Sequence, residues 1–396
     1  MAVTQSKPAG IPGTIWALGL VSLFMDTSSE MIHSLLPVFL FSVLGASATS
    51  VGLIEGVAEA AALISRLFSG ALSDRVGKRK TLALSGYTLG TLTKPLFALA
   101  SGVGLVFAAR FLDRLGKGVR GAPRDALVAD VTDPHLRGAA YGLRQSLDSV
   151  GAFLGPILAL VLMITTAGAF RTVFWVAVIP GIIAVAVLAL AVREPSTPGV
   201  RSSRQALHLA DIARLRTAFW MVVAFGSVFT LARFSEAFLL LRAENVGMPA
   251  SIIPFILIVM NVFYTLTAYP MGRLSDRLGR TGLMTAGLGF LIVSDLMLAT
   301  AQTIWQVVVG AAIWGLHMGL TQGLLVAMVA DTSHHHLRAT AFGIFSLASG
   351  FAILSGSLIA GWLWDQFGAP ATFYAGAVFA GCALTGFLIF RWRLVE

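Results

Sequence analysis

The sequence predicts an all-α membrane protein of twelve transmembrane helices in two pseudo-symmetric six-helix bundles. Three observations predict it. First, 57% of the 396 residues are hydrophobic and only 12% are charged, where a soluble chain carries about 25% charged residues. Second, about twelve apolar runs reach the roughly 20 residues that a bilayer helix needs. Third, the chain repeats itself at a spacing of about 200 residues: GALSDRVGKR from Gly70 returns as GRLSDRLGRT from Gly272, and ADVTDPHLRGAAYG from Ala129 returns as ADTSHHHLRATAFG from Ala330. Little chain is left for an extramembrane fold, so an enzyme with its own soluble domain is not expected.

The spans follow in order. Helices are predicted over 14–44, 50–72, 80–101, 103–128, 138–165 and 170–192, then over 217–243, 250–272, 282–301, 303–329, 339–363 and 370–392. The first apolar stretch is too long for a signal-peptide core and lacks a small-residue cleavage site, so it reads as a retained helix. REPSTPGVRSSRQALHLADIARLR, 193–216, is the long polar segment and reads as a linker. The expected units are therefore 1–192, a linker over 193–216, and 217–396.

The net charge of +9 raises nucleic acid as a partner. The basic residues sit in short loops between apolar runs, with no cationic groove interleaved with aromatics, so nucleic acid is not expected. Their distribution is topological. Arg75, Lys78, Arg79, Lys80, Arg137, Arg280 and Arg338 fall on one side, Arg171 and Arg242 on the other. Lysine and arginine stay cytoplasmic, so both termini are expected inside, in the inner (plasma) membrane. Cys382 is the single cysteine, which excludes an internal disulfide and a cysteine metal site.

The first helix raises a harder question, because FMDTSSEMIH places Asp26, Glu30 and His33 inside an apolar run. At spacings of four and three they share one helix face. By helical rise, Asp26 lies roughly 18 Å above the inner helix end. An ionised carboxylate at a helix centre costs about 2.5–3.5 kcal/mol on insertion scales, so this face is expected to look into a wet central cavity. Glu55 and Glu59 on the second helix, and Arg110, Asp113, Arg114 and Lys117 on the fourth, are available partners. Arg66 is a further candidate, and Lys94 is expected to meet Glu55. Crowded carboxylates and neighbouring arginines move one another's protonation. Three readings stay open: proton coupling, a divalent metal on oxygen and nitrogen ligands, or a structural salt-bridge network. The last explains Arg144 with Asp148 equally well.

The second half is drier. Arg233 and Glu236 on the seventh helix, with His317 and Gln322 on the tenth, are candidates for a substrate cavity. Phe225, Phe229, Phe234 and Phe238 read as cavity wall, core or lipid face. Asp295 matches Lys94 in the repeat and has no evident partner. SHHHL at 333–337 reads as a solvated loop, because His336 matches His135 in its sister loop. RLGKGVRG is not a phosphate loop: it lacks G-x-x-x-x-G-K-[ST] and follows no strand.

At the doubled G-x-L-S-D-R-x-G-[KR] loop the chain resembles the major facilitator superfamily. The resemblance implies a secondary transporter that rocks two bundles around a central cavity. It assigns the two loops to a cytoplasmic gate: Gly70, Asp74, Arg75, Gly77 and Arg79 in one half, Gly272, Asp276, Arg277 and Gly279 in the other. Arg75 and Arg79 are expected to bridge to carboxylates across the halves. On the fourth helix Arg110 is kept, but Asp113 and Arg114 depart from the family pattern. On the fifth, Gly151, Gly155 and Pro156 match part of an exporter motif, with Leu158 and Ala159 where paired glycines would stand.

The expected function is secondary transport of a small molecule by alternating access, as proton-coupled efflux. Efflux of a metal ion or metal chelate, proton-coupled uptake, and a non-transporting sensor or scaffold are the alternatives. The expected partners are a small-molecule substrate, protons and the lipid bilayer. No cofactor and no resident metal are expected, and the fold implies a monomer.

Overall fold

The computed structural model describes residues 11–193, 215–278, 280–333 and 337–395. The linker from 194 to 214, Gly279 and His334–His336 lie outside the described residues. Helix α1 spans Gly13–His33, α2 Ala48–Val76, α3 Arg79–Leu99, α4 Val103–Asp130 and α5 Arg137–Thr165; α6 comprises Phe170–Val176 and Val178–Ala191. In the second half α7 comprises Thr217–Ala232 and Ala237–Asn245, followed by α8 Pro254–Leu278, α9 Arg280–Thr300, α10 Ile304–Asp331, α11 Arg338–Phe367 and α12 Ala369–Val395. No strand forms among the described residues.

By length and apolarity alone, nine helical stretches among the described residues are candidate membrane spans. The other three are α2, α3 and α4, which carry Glu55, Glu59, Lys94, Arg110, Asp113 and Arg114. The charges predicted to gather inside are what lower the apolarity of these helices.

Three predicted helices are interrupted. The first ends at His33, and a short turn Leu36–Val38 and a π-helical turn Phe39–Val43 follow. Pro37 lacks an N–H and crowds the carbonyl one turn back, so the regular ladder stops before it. In α6 the break is at Ala177, three residues before Pro180, and the Ala177 carbonyl accepts a 2.6 Å hydrogen bond from the Ser28 hydroxyl of α1. In α7 the chain unwinds over Arg233–Glu236 without a proline. There the Ser235 N–H donates to Ser357 Oγ at 3.2 Å, and the Ala237 N–H to Ser235 Oγ at 3.2 Å. Partners of this kind let irregular backbone persist at membrane depth.

The two halves pack α2 against α11 and α5 against α8. Their joins lie at the end opposite the doubled loop, here called the far end. Asp365 of α11 accepts hydrogen bonds from the Ala48 N–H (2.9 Å), the Thr49 N–H (2.8 Å) and the Thr49 hydroxyl (2.5 Å). One half thus caps the N-terminus of a helix in the other. Ser42 also donates to Glu244 across the halves. Near the middle the contact loosens, with a Cβ at Gly350 standing 3.6 Å from Ala60 Cα. Lys117 is exposed and the Glu59 side chain is 36% exposed, so the charged face is not sealed.

Phe225, Phe229, Phe234 and Phe238 are buried in the large apolar cluster that runs through both halves, which makes them core. A smaller cluster, including Ile15, Val21, Met25, Tyr87 and Leu188, holds α1, α3 and α6 together near the basic end.

Candidate functional site

The buried charges of α1, α2 and α4 come together as ion pairs. Arg110 Nη2 donates to Glu55 Oε2 at 2.6 Å, and both side chains are 1% exposed. His33 bridges two carboxylates, with Nδ1 3.1 Å from Glu30 and Nε2 3.8 Å from Glu55. Arg114 lies 3.2 Å from Glu59. Glu30, His33, Glu55 and Arg110 thus form one continuous chain of charge, and the Arg114–Glu59 pair stands within electrostatic reach of it. Ion pairs this dry need near-complete compensation, because removing one partner strands the other.

Two expectations need correction. Lys94 does not meet Glu55, which Arg110 occupies. Its Nζ bonds Asp113 at 2.8 Å and the Ser29 hydroxyl at 3.0 Å, because Lys94 faces α4 and α1 from α3. Arg66 is not in the network either: it pairs with Asp125 at 3.0 Å with its side chain 59% exposed.

Asp26 has a partner that the sequence reading did not assign. Its carboxyl lies beside that of Asp148 on α5, with Lys117 and Arg120 within electrostatic reach. Asp148 also lies 3.4 Å from Arg144 and 3.7 Å from Arg124. The α5 glycines make the approach possible. A Cβ at Gly151 would stand 2.9 Å from Leu23 Cα, and one at Gly155 would stand 2.6 Å from Glu30 Cβ and 2.9 Å from the Thr27 carbonyl oxygen. Gly151 and Gly155 lie on the same face of α5 as Asp148 and sit against the acidic face of α1. Pro156 follows them, buried in α5.

The second half contributes through the break in α7. Glu236 lies within electrostatic reach of His33, Glu30 and Glu59 as well as Arg233, and Tyr264 of α8 neighbours Arg233. Arg233 and Glu236 do not form an ion pair among the described residues. Ser29–Glu30 and Ser235–Glu236 are the same dipeptide in the first helix of each half. That signal was available to place Glu236 opposite Glu30. His317 does not reach the opening: it is 0% exposed, and its Nδ1 lies 2.8 Å from the Gly287 carbonyl oxygen. Gln322 is half-buried on α10. Lys117, one turn from Asp113, forms no ion pair among the described residues and stands exposed between Asp26, Glu30, Glu59 and Asp148.

At the basic end, Gly77 closes α2 with φ of 69°, a left-handed cap that favours glycine. Arg79 pairs with Asp130 at 2.5 Å and donates to the Ala126 carbonyl at 3.0 Å. Both of these partners belong to its own half. The repeat reproduces the pair: Arg280 meets Asp331, each 201 residues beyond its counterpart. Gly70 lies 3.4 Å, measured from a built Cβ, from Ala122 of α4, whereas Gly272 has open space around it. Asp74, Asp276 and Arg277 lie on helices, but their side chains fall outside the described set, as does Gly279. Arg75 is exposed at the rim of a cavity of about 910 Å³ between α2, α4 and α11. Its walls include Ala60, Ile64, Phe68, Phe111 and Phe351, and no residue of the charge network lines it.

Comparison with known proteins agrees with this architecture. The family profile described as Major Facilitator Superfamily matches residues 18–241 and again 234–396. An uncharacterised MFS-type transporter of Methanocaldococcus jannaschii is 33% identical over 375 residues, covering 92% of each chain. The inner membrane transport protein YajR of Escherichia coli is 24% identical over 390 residues, 93% of this chain and 81% of that one. A crystal structure of the nucleoside transporter NupG superposes with a TM-score of 0.80 at 14% identity, over 95% of this chain and 99% of the other. At that identity the likeness is one of fold. Two related halves, helices broken around a polar centre, and a profile that matches each half lead to one assignment: the chain belongs to the major facilitator superfamily of transporters.

Proposed function

We propose that the protein is a proton-coupled exporter of a small organic molecule from the cytoplasm, with its basic end facing inward. The observation that carries this reading is the placement of Asp26 of α1 beside Asp148 of α5, where Gly151 and Gly155 bring the two helices into backbone contact. Two carboxyls so placed share a proton, because neighbouring like charges repel. The pair sits where the exporter-like glycine face of α5 meets α1, beside a cluster that faces the other half. Lys117 stands exposed within reach of both carboxyls. An anionic group on the cargo would be drawn to it.

The cycle follows from placement. With the far end latched by Asp365 and the charged face not sealed, cargo enters from the cytoplasm and meets Lys117, Arg233 and Glu236. Its charge and hydrogen bonds alter the field at Asp26 and Asp148, and the shared proton leaves to the cytoplasm. The bundles then rock, the Asp365 cap breaks, and the far end opens for cargo release and proton uptake. The Arg79–Asp130 and Arg280–Asp331 pairs brace α3 to α4 and α9 to α10, so each half moves as a unit. The excess of basic residues at one end supports the cytoplasmic orientation of that end.

A growth screen of a deletion strain across antibiotics, chelators and organic anions identifies the cargo. Acidified inside-out vesicles, read with a pH-sensitive dye, then test the coupling. Adding that cargo should collapse the gradient with the native chain and leave it intact with Asp26→Asn. Cargo flux with no proton movement would overturn the reading.

A further inference from the structure

Among the described residues, the second half holds five buried polar atoms with no hydrogen-bond partner: Glu244 Oε2 at the far end and, deeper in the bundle, both carboxyl oxygens of Asp295, Nε1 of Trp314 and Nε2 of His317. Asp295 is 0% exposed on α9. It packs toward α12 at Gly376, where a Cβ would stand 2.7 Å from Asp295 Oδ2 and 2.9 Å from Phe234 Cε1. Phe234 belongs to the break in α7, and its ring centre lies 5.7 Å from that of Trp314. A carboxyl, an indole N–H and the unwound segment of α7 therefore meet around one aromatic ring.

The internal repeat gives this cluster its meaning. Lys94 and Asp295 are 201 residues apart, and so are Asp113 and Trp314. In the first half the matching positions form a closed pair, with the Lys94 ammonium donating to Asp113 at 2.8 Å. In the second half the polarity is reversed. The acceptor stands on α9 and the donor on α10, yet the bond between them is not made. An ionised carboxylate without a partner in so dry a place costs several kcal/mol, whereas a neutral acid costs far less. No charged side chain compensates it. Gly376 lies against it from α12, Phe234 of the α7 break lies beside Gly376, Trp314 of α10 neighbours that ring, and α8 brings no ionisable group to it among the described residues.

We propose that Asp295 is a second proton-binding site, in the second half, and that Trp314 Nε1–H is the donor that takes the place of its proton when α7 moves. In the present state Asp295 carries the proton as a carboxylic acid. When the break in α7 rearranges, the indole N–H reaches the carboxylate, the O–H bond breaks and the proton passes to solvent. The site lies apart from Asp26 and Asp148 and does not depend on how they work.

Infrared difference spectra of the full chain in liposomes, recorded through an alkaline titration, read the carboxyl directly. One protonated-carboxyl C=O band should vanish in Asp295→Asn and reappear displaced in Asp295→Glu. Trp314→Phe keeps a ring but removes the N–H, so this band should persist to higher pH than in the native chain. Asp26→Asn should remove a different band and leave this one, which separates the two sites. An unchanged carboxyl region in both Asp295 variants would overturn the site. Identical titration of the native chain and Trp314→Phe would overturn the role of the indole.

Discussion

Asp26 and Asp148 work as a unit, because each is poised by the other. Replacing Asp26 by Asn keeps the side chain's size and polarity and removes the titration. Asp26→Asn should therefore still bind cargo, but net export in vesicles under a pH gradient should fall at least tenfold. Asp148→Asn should do the same, and the double variant should be no worse than either single one, since residues acting as one unit are not additive. Arg110 and Glu55 are of another kind. Both are 1% exposed and 2.6 Å apart, so Arg110→Ala strands a buried carboxylate. It should cost about 3–5 kcal/mol of stability, read as a lower unfolding midpoint in detergent, and Glu55→Gln in the same chain should restore most of it. A purely cargo-binding Arg110 would leave the midpoint unchanged.

At the scale of elements, two contacts decide how the helices move. Gly151 and Gly155 let α5 lie against the backbone of α1. Gly155→Val would force them apart at Thr27 and Glu30, separating Asp26 from Asp148. Proton coupling should be lost even though no charge changes, with a stability loss of about 1–3 kcal/mol from overpacking. At the far end, Asp365 caps α2 from the other half. Asp365→Ala removes the cap, worth about 0.5–2 kcal/mol, and should shift the population toward the far-open state. Cysteine labelling at far-end positions of α11 would then rise severalfold.

Much of this level was legible in the sequence. The repeat placed the two loops, and the i, i+4 and i, i+7 spacing of Asp26, Glu30 and His33 put them on one wet face. Pairing across helices was not legible, because helical rise gives depth but not rotation. Hence Lys94 was matched to Glu55 when it faces Asp113, and Asp148 was assigned to Arg144 alone. The break in α7 carries no proline, and only tertiary partners such as Ser357 stabilise it. His317 looked cavity-facing because a polar residue on an inner helix suggests water. The structure satisfies its Nδ1 with a backbone carbonyl instead.

The molecule as a whole is joined at the far end by Asp365 and Ser42, and in the proposed cycle this state holds a shared proton on the first half. A membrane transporter in this state alternates by exchanging one set of joints for another. Because the proposed cycle places the proton on Asp26 and Asp148 in this state, acid should favour it and alkali should deplete it. A ligand or proton shifts such an equilibrium only by its differential affinity for the two states. The pH response should thus shrink to the part carried by Asp295 when the pair cannot titrate, whatever the cargo. The most direct measurement is the distance between spin labels on α2 and α11, one pair at each end, in liposomes across a pH series without cargo. The expected result is that raising pH closes the basic end and opens the far end in the native chain, while Asp26→Asn shows a much smaller change, the remainder that Asp295 contributes. A pH response of equal size in Asp26→Asn would contradict the account.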